Sequence, residues 1–381
     1  MAERHAPLGV GIVGCGNISS AYLDLAPLFG AIEVRACADL DAARARERAA
    51  QFGVAARGVE ELLASDDVDV VVNLTVPAAH AEVSRLALEA DKHVYSEKPL
   101  ALSVADGEAL VALAAERGRR IGSAPDTFLG GAQQRARALV DSGALGRVTG
   151  ATAHVMSFGM EHWHPDPDFF YRPGAGPVLD VGPYYVTALV QLLGPVAKVS
   201  AMSATPRAER EIGSAPRAGE RVLVQTPTTV HATLEFEGGA LATFGASWDV
   251  EAHGHRPIEL YGERATLALP DPNFFGGALS VERRDGAPES SADADHPFGV
   301  ANRTDKNLGP VANYRTVGLA DMAAAILEGR PHRCSESLAL HALDVMTSIL
   351  AAAETGRTLC PSTRCERPAP LDADAARALL A

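Results

Sequence analysis

Three groups of residues in the first hundred positions have the types and spacing for chemistry. Gly14-Cys15-Gly16-Asn17-Ile18-Ser19 directly follows the apolar run 10–13. A glycine at 14 permits a tight turn, and the missing side chain at 16 lets backbone approach a pyrophosphate lodged at the N-terminus of the helix that follows. Asn17 and Ile18 open that helix, and Ser19 is small enough for close packing. Asp39 closes the next apolar run about 20 residues further on, where a carboxylate would bind the two hydroxyls of an adenosine ribose. Such a carboxylate repels a 2′-phosphate, so the pattern favours NAD over NADP, although Arg44 is near enough in sequence to reach a phosphate. The blander reading is a turn at Gly14 and Gly16 and a helix cap at Asp39.

The third apolar run ends in Asn73-Leu74-Thr75-Val76-Pro77, with His80 just beyond, and the fourth ends in Ser96-Glu97-Lys98-Pro99. In open α/β sheets ligands gather beyond the carboxyl ends of the strands. Thr75 and Pro77 are therefore expected to shape the pocket beside a nicotinamide ribose, with His80 either facing that pocket or merely starting a helix. Glu97 and Lys98 form a charged pair where the reactive ring would lie, and Pro99 keeps Lys98 out of helical geometry. A lysine exchanges an alcohol proton only when its pKa falls from ~10.4 towards neutrality, and partial burial beside a cationic ring is expected to lower it. The alternative for a Glu-Lys pair is a solvated surface bridge.

These residues need elements to hold them. From Leu8 to about Ile121 short apolar runs alternate with amphipathic ones, the grammar of a doubly wound parallel sheet with helices on both faces. Past Asp126 the strands succeed one another: 148–157, 196–204, 228–236, 241–249, 258–261 and 279–282. Val230, Ala232, Leu234 and Phe236 alternate with polar residues, as in a sheet with one covered face. That half is expected to be α+β with a mostly antiparallel sheet. The boundaries expected are 1–125 for a nucleotide-binding domain, 126–366 for a substrate domain and 367–381 for a tail, with 286–296 (GAPESSADADH) a flexible surface loop.

Composition narrows the partners. The chain of 381 residues carries 34 Lys and Arg against 48 Asp and Glu, a net charge of −14 that repels nucleic acid and anionic lipid. No apolar run is expected to span a bilayer, and the residues from Met1 to Leu8 lack a signal pattern. Five scattered cysteines read as reduced thiols in the cytoplasm, with no metal site expected at Cys360 and Cys365 or at His162 and His164.

The stretches GIVGCGNIS (11–19), VYSEKPLALS (94–103), LVDSGALGRVTGATAHV (139–155), GAGPVLDVGPYY (174–185) and the segment 324–357, with the acid at Asp39, resemble the Gfo/Idh/MocA family of glucose–fructose oxidoreductase, inositol dehydrogenase and their relatives. The resemblance implies a Rossmann domain followed by a domain whose large open sheet faces the cofactor and mediates homodimer or homotetramer contacts. It implies that Lys98 hydrogen-bonds the reacting hydroxyl, often across a cis Lys-Pro bond, and that Asp180 positions the sugar and the lysine. Many members carry a histidine four residues after that aspartate, whereas this chain has Tyr184. A phenol titrates poorly near neutrality, so the proton burden is expected to shift to Lys98. Tyr185 is expected in a similar place, with packing as the alternative for both tyrosines.

Two further stretches are expected to line a substrate pocket: Asp126-Thr127, where the chain crosses between domains, and Glu161-His162-Trp163-His164, whose rings and polar groups suit a carbohydrate. The function expected is an NAD-dependent sugar, cyclitol or glycoside dehydrogenase. Its alternatives are a redox-neutral glycosidase or epimerase with tightly held NAD, and a non-catalytic NAD-binding sensor.

Overall fold

The computed structural model of the chain describes residues 6–292, 295–305 and 308–381. Of the N-terminal residues read above for a signal pattern, 1–5 lie outside the described ones.

The first half alternates strictly. Strand β1 (Leu8–Val13) leads into α1 (Asn17–Leu25), β2 (Ile32–Ala38) into α2 (Ala42–Phe52), and β3 (Ala55–Ala56) into α3 (Val59–Leu63). Then come β4 (Val70–Asn73), α4 (His80–Glu89), β5 (His93–Ser96), α5 (Val104–Glu116) and β6 (Ile121–Ser123). All pairings in this sheet are parallel and the order is β3-β2-β1-β4-β5-β6. The order reverses between β1 and β4, and a crevice for a ligand opens at such a switch point, beyond the strands' carboxyl ends. Local chemistry fixes the ends of the elements: the Asp41 carboxylate caps α2 by accepting from the amides of Ala43 and Arg44, and Gly53 closes it at φ 71°.

The second half begins with α6 (Gly131–Asp141), β7 (Val148–Met156), α7 (Pro177–Asp180) and α8 (Gly182–Leu193). There follow β8 (Val196–Ala204), the short hairpin β9 (Glu209–Glu211) and β10 (Arg221–Leu223), β11 (Thr229–Phe236), β12 (Leu241–Ser247), β13 (Ile258–Gly262), β14 (Thr266–Leu269), β15 (Ala278–Glu282) and β16 (Glu289–Ala292). Eight of these strands form one sheet in the order β16-β15-β14-β13-β7-β12-β11-β8, antiparallel except where β12 lies beside β7. The alternation along β11 is realised, with Val230, Ala232, Leu234 and Phe236 buried and His231 and Thr233 exposed. Its buried face packs on α8 and on α10 (Glu336–Thr355), which follows α9 (Val317–Glu328). Helix α10 is long and apolar enough to cross a membrane, but Leu343, Val345, Met346, Ile349 and Ala352 are buried against β8 and α8, the position of a core helix.

Two expectations need correction. Within 286–296, Glu289–Ala292 is an edge strand paired with β15, and residues 293 and 294 lie outside the described residues. The segment after 366 is no loose tail: α11 (Ala373–Leu379) buries Leu371, Ala376 and Leu379, and Ala381 donates its amide to Leu28 O at 2.9 Å. The chain end thus returns to the first domain, an arrangement set by long-range packing that no local pattern records.

Candidate active site

Strand β1 delivers the glycine turn to the switch point. Gly14 sits at φ 102°, and a Cβ there would stand 2.6 Å from the Leu74 carbonyl, so only glycine fits. At Gly16 nothing lies within 4 Å of where a Cβ would point, which leaves the backbone open to a bound group. Gly16 caps α1 without a side-chain hydrogen bond and no acid occupies the first turn, so the amides of Asn17 and Ile18 face the opening. Arg48 of α2 steadies this turn by donating to Ser20 Oγ at 2.5 Å and to the carbonyls of Cys15 and Gly16. Asp39, at the end of β2, accepts from the amides of Cys15 at 2.8 Å and Asp41 at 2.9 Å, and its side chain remains 12% exposed. An open, uncapped helix start beside a partly exposed carboxylate matches the donors and acceptors a pyrophosphate and a ribose diol require, so these residues fit a dinucleotide.

The ends of β4 and β5 behave differently from one another. Asn73 is fully buried: its amide nitrogen donates to His80 O and Ser84 Oγ, and its oxygen accepts from Thr75. His80 is 1% exposed, its ring wedged between Pro99 O at 2.7 Å and Thr75 O at 3.0 Å. It therefore ties the two strand ends together and does not face the opening, which Thr75, half-buried, and Pro77, exposed, flank instead. Glu97 is turned inward, accepting from Tyr22 Oη at 3.0 Å and from the Lys98 amide at 3.1 Å.

Lys98 is where the two domains meet. The Lys98-Pro99 and Ala124-Pro125 bonds are both cis. Lys98 Nζ donates to Asp180 O at 2.6 Å and to Asp180 Oδ1 at 3.0 Å, and it stands 5.5 Å from the centre of the Tyr184 ring. Asp180 and Tyr184 are presented by α7 and α8, one helical turn apart. Burial works to lower the Lys98 pKa, but Asp180, Tyr184 and Glu97 outweigh it and hold the amine well above its ordinary value. In the protein alone these neighbours, anionic or electron-rich, set the sign of the shift, opposite to the lowering expected beside a cationic ring. Its neighbours hold Lys98 as an ammonium with three donors, two of them spent on Asp180 and the third without a hydrogen bond among the described residues.

Other expected pocket residues have structural work. Asp126 is 2% exposed, and its carboxylate accepts from the amides of Thr316 at 2.9 Å and Gly318 at 3.0 Å, capping α9. Burial pushes its pKa up to about 6. Thr127 is likewise buried. Tyr185 is 2% exposed within α8, so packing is its role, and burial with the nearby Asp271 pushes its phenol pKa up. His162 and Trp163 are exposed on the loop after β7, and among the described residues no hydrogen bond joins them to Lys98 or Asp180. No metal-binding group occurs among the described residues, His162 and His164 included.

Sequence reasoning missed two assemblies. Arg315, just before α9, donates to Asn273 O at 3.2 Å and Oδ1 at 2.8 Å, and although burial works to lower its pKa, Tyr184, Asp126 and Glu97 nearby hold it above its ordinary value. It is followed by Thr316 at φ 113°, a left-handed conformation that costs a β-branched residue ~1–3 kcal/mol and is held by the Asp126 carboxylate. The other is a buried ion cluster on the hairpin: Arg210 of β9 pairs with Glu161 at 2.8 Å and with Asp249, and Glu161 also accepts from Tyr171 Oη. Nothing in the spacing of either set marks it, since the partners lie dozens of residues apart.

The description "Oxidoreductase family, NAD-binding Rossmann fold" matches residues 8–124, and "GFO/IDH/MocA C-terminal domain" matches residues 133–268. The dTDP-3,4-didehydro-2,6-dideoxy-alpha-D-glucose 3-reductase of Saccharopolyspora spinosa is 32% identical over 302 residues, covering 76% of this chain and 83% of that protein. The aldose-aldose oxidoreductase of Caulobacter crescentus, solved with glycerol, is 25% identical, with a TM-score of 0.75 over 93% of this chain and 99% of its own. An NAD binding oxidoreductase from Klebsiella pneumoniae superposes with a TM-score of 0.80 at 22% identity, over 94% of this chain and all of the other. A glycine cradle at the switch point of a parallel sheet, with a lysine at its edge and an aspartate and a tyrosine meeting that lysine from a second domain, is accordingly the site of an NAD-dependent oxidoreductase, and the chain belongs to the GFO/IDH/MocA family.

Proposed function

We propose that the chain interconverts a secondary alcohol of a sugar, cyclitol or glycoside and the corresponding ketone, with NAD held by Gly14, Gly16, Asn17, Ile18 and Asp39. The observation that carries this is the convergence of Lys98, Asp180 and Tyr184 beside the cradle. The names of the relatives, a keto-sugar reductase and an aldose oxidoreductase, support a carbohydrate substrate. Bound NAD supplies the hydride acceptor or donor.

The chain's own residues handle the oxygen and its proton. The free N–H of Lys98 donates to the carbinol oxygen, and its fixed positive charge stabilises the alkoxide that develops there. Asp180 aims that ammonium. The proton passes to or from Tyr184 Oη, because an ammonium held up by Asp180 is a poor base. A sensor has no use for such a donor set. Both directions use the same groups.

The proposal extends to assembly and place. The outer face of the eight-stranded sheet exposes Met202, Leu241 and Tyr261, which supports a homodimer or homotetramer formed through it. All five cysteines are unpaired, in keeping with a cytoplasmic protein, and the net charge of −14 argues against nucleic-acid or membrane partners. A spectrophotometric screen of sugars, inositols and glycosides with NAD tests the reading. Nicotinamide absorbance should change with at least one carbohydrate, and Tyr184→Phe should slow that change about 100-fold. Full activity in Tyr184→Phe would reject the proton role, and a flat screen with NAD released only on denaturation would favour the redox-neutral alternative.

A further inference from the structure

Four histidines form a row on the face of the eight-stranded sheet turned away from α8 and α10. His154 lies on β7 and His231 on β11, both in register with Gly245 of β12, which runs between them. A Cβ at Gly245 would stand 3.1 Å from His154 Cδ2 and 3.2 Å from His231 Cε1, so the missing side chain lets the two rings close over the strand between them. His154 is also stacked on His255, with ring centres 4.0 Å apart and planes 15° from parallel, and His255 stands 6.1 Å from His253. Met202 of β8, in register with His231, projects beside the row and is 80% exposed.

The row suits neutral rings. A protonated imidazole donates from both nitrogens, yet His154 Nδ1 is buried and has no hydrogen-bond partner among the described residues, and the ring stacked on it is another imidazole. Burial, followed by the rings of His255, His231 and His253, holds the His154 pKa down at about 4. The other charges around the row are engaged elsewhere: Arg256 with Glu259 of β13 and Glu282 of β15, Lys198 of β8 with Glu235 of β11, and Asp249 with Arg210. Tyr261 of β13 donates to Glu259, and Glu251 is exposed on the same connection as His253 and His255. With no acceptor at Nδ1, His154 takes a proton only by turning out of the stack, away from the sheet.

We propose that this histidine row is a proton-operated release on the assembly formed through the sheet: neutral, it is covered by a second copy of the chain, and protonated, it parts the two copies. The inference rests on the assembly reading given above. In a two-fold assembly each row meets the same face of the partner, so every charge gained appears twice in one seam. On a separated subunit the His154 ring is free to turn into water and take its proton near the ordinary value of about 6.5. The assembly then binds fewer protons than the separated subunits, so it is complete above about 6.5 and weakens as pH falls below that value.

Analytical ultracentrifugation of the whole chain at about pH 8 and about pH 5.8, either side of the ordinary imidazole value, tests this. The dissociation constant of the assembly should rise about tenfold or more at the lower pH, the effect of at least one proton taken up by each subunit. His154→Phe keeps an aromatic ring in the row but takes no proton, and it should lose most of that rise while every other charge on the chain titrates as before. His154→Gln, uncharged and smaller, repeats the measurement should phenylalanine disturb folding, which thermal melting checks. No rise in the wild type, or a rise of the same size in a folded variant, overturns the inference. A chain that is already monomeric at about pH 8 rejects the assembly reading and this inference with it, whereas an assembly equally tight at both pH values rejects the release alone.

Discussion

Two clusters, one where the two domains meet and one within the second domain, are made from nearly the same ingredients and end in opposite states. Around Lys98 a cation, a carboxylate, a tyrosine and an arginine meet at the mouth of the cradle. Around Arg210 a cation, two carboxylates, a tyrosine and Trp248 meet under the β9–β10 hairpin. In the first, the side chains of Lys98 and Asp180 stay 18% and 29% exposed and one ammonium donor has no hydrogen-bond partner among the described residues. In the second, Arg210 is 1% and Glu161 4% exposed, and their charges are spent on each other, on Asp249 and on backbone carbonyls. Titratable residues alone do not announce chemistry. What separates the clusters is whether the hydrogen-bonding capacity left over is open to a ligand, since the Nε of Arg210 and the Nε1 of Trp248 also lack partners but are buried.

The contrast makes opposite demands on substitution. The largest expected effect on stability is that of Arg210→Met, which strands Glu161 and Asp249 as buried unpaired carboxylates and should cost about 3–5 kcal/mol in a denaturant titration. Lys98→Met should leave stability within about 1 kcal/mol, since its ion pair is partly exposed, while kcat/KM falls by about 10²–10³-fold as the charge facing the alkoxide disappears. An Arg210→Met protein as stable as wild type, or a Lys98→Met protein that unfolds, would invert the comparison. At the cradle Asp39→Asn should weaken NAD about tenfold by calorimetry with little change in melting, because Asn still accepts from the turn.

The smallest effect sharpens the boundary of the closed class. Burial, followed by the charges of Arg119 and Arg120, lowers the pKa of His93 to about 4, and its Nδ1 accepts from the Arg120 amide at 2.9 Å. The folded chain keeps this ring neutral, whereas the unfolded chain protonates it near the ordinary value of about 6.5. Its contribution is therefore complete above about 6.5 and is lost as pH falls through about 4. Denaturation midpoints should drop between pH 7 and pH 5, and His93→Gln should flatten that slope. An equal slope in the variant would assign the acid sensitivity to other groups.

The legible parts of the molecule are those written in local grammar. Strand–turn–helix alternation, the glycines of the turn, Asp39 at the end of β2 and the period-two pattern of β11 all follow from neighbours in sequence, and the fold class follows from them. Lys98 and its proline were legible for the same reason, and Asp180 and Tyr184 became so through the family resemblance. The errors lie where distant residues decide. Asp126 looked like a pocket residue but spends its carboxylate on amides 190 and 192 positions away. His80 bridges two carbonyls from separate strand ends, and Tyr185 faces Asp271. Arg315 and Arg210 gave no local signal, since each acquires meaning only from partners that folding brings up. The Asp180 carboxylate, brought beside Lys98 from 82 positions away, works against the lowering expected from burial and a cationic ring, and no local pattern records it.

The most direct test is a crystal structure with NADH and a carbohydrate accepted in the screen. The carbinol oxygen is expected within hydrogen-bonding distance of both Lys98 Nζ and Tyr184 Oη, with its carbon facing the nicotinamide. A sugar seated elsewhere, with Lys98 still engaged only by Asp180 and the Tyr184 hydroxyl out of reach, would contradict the assignment of these two side chains to the reacting oxygen.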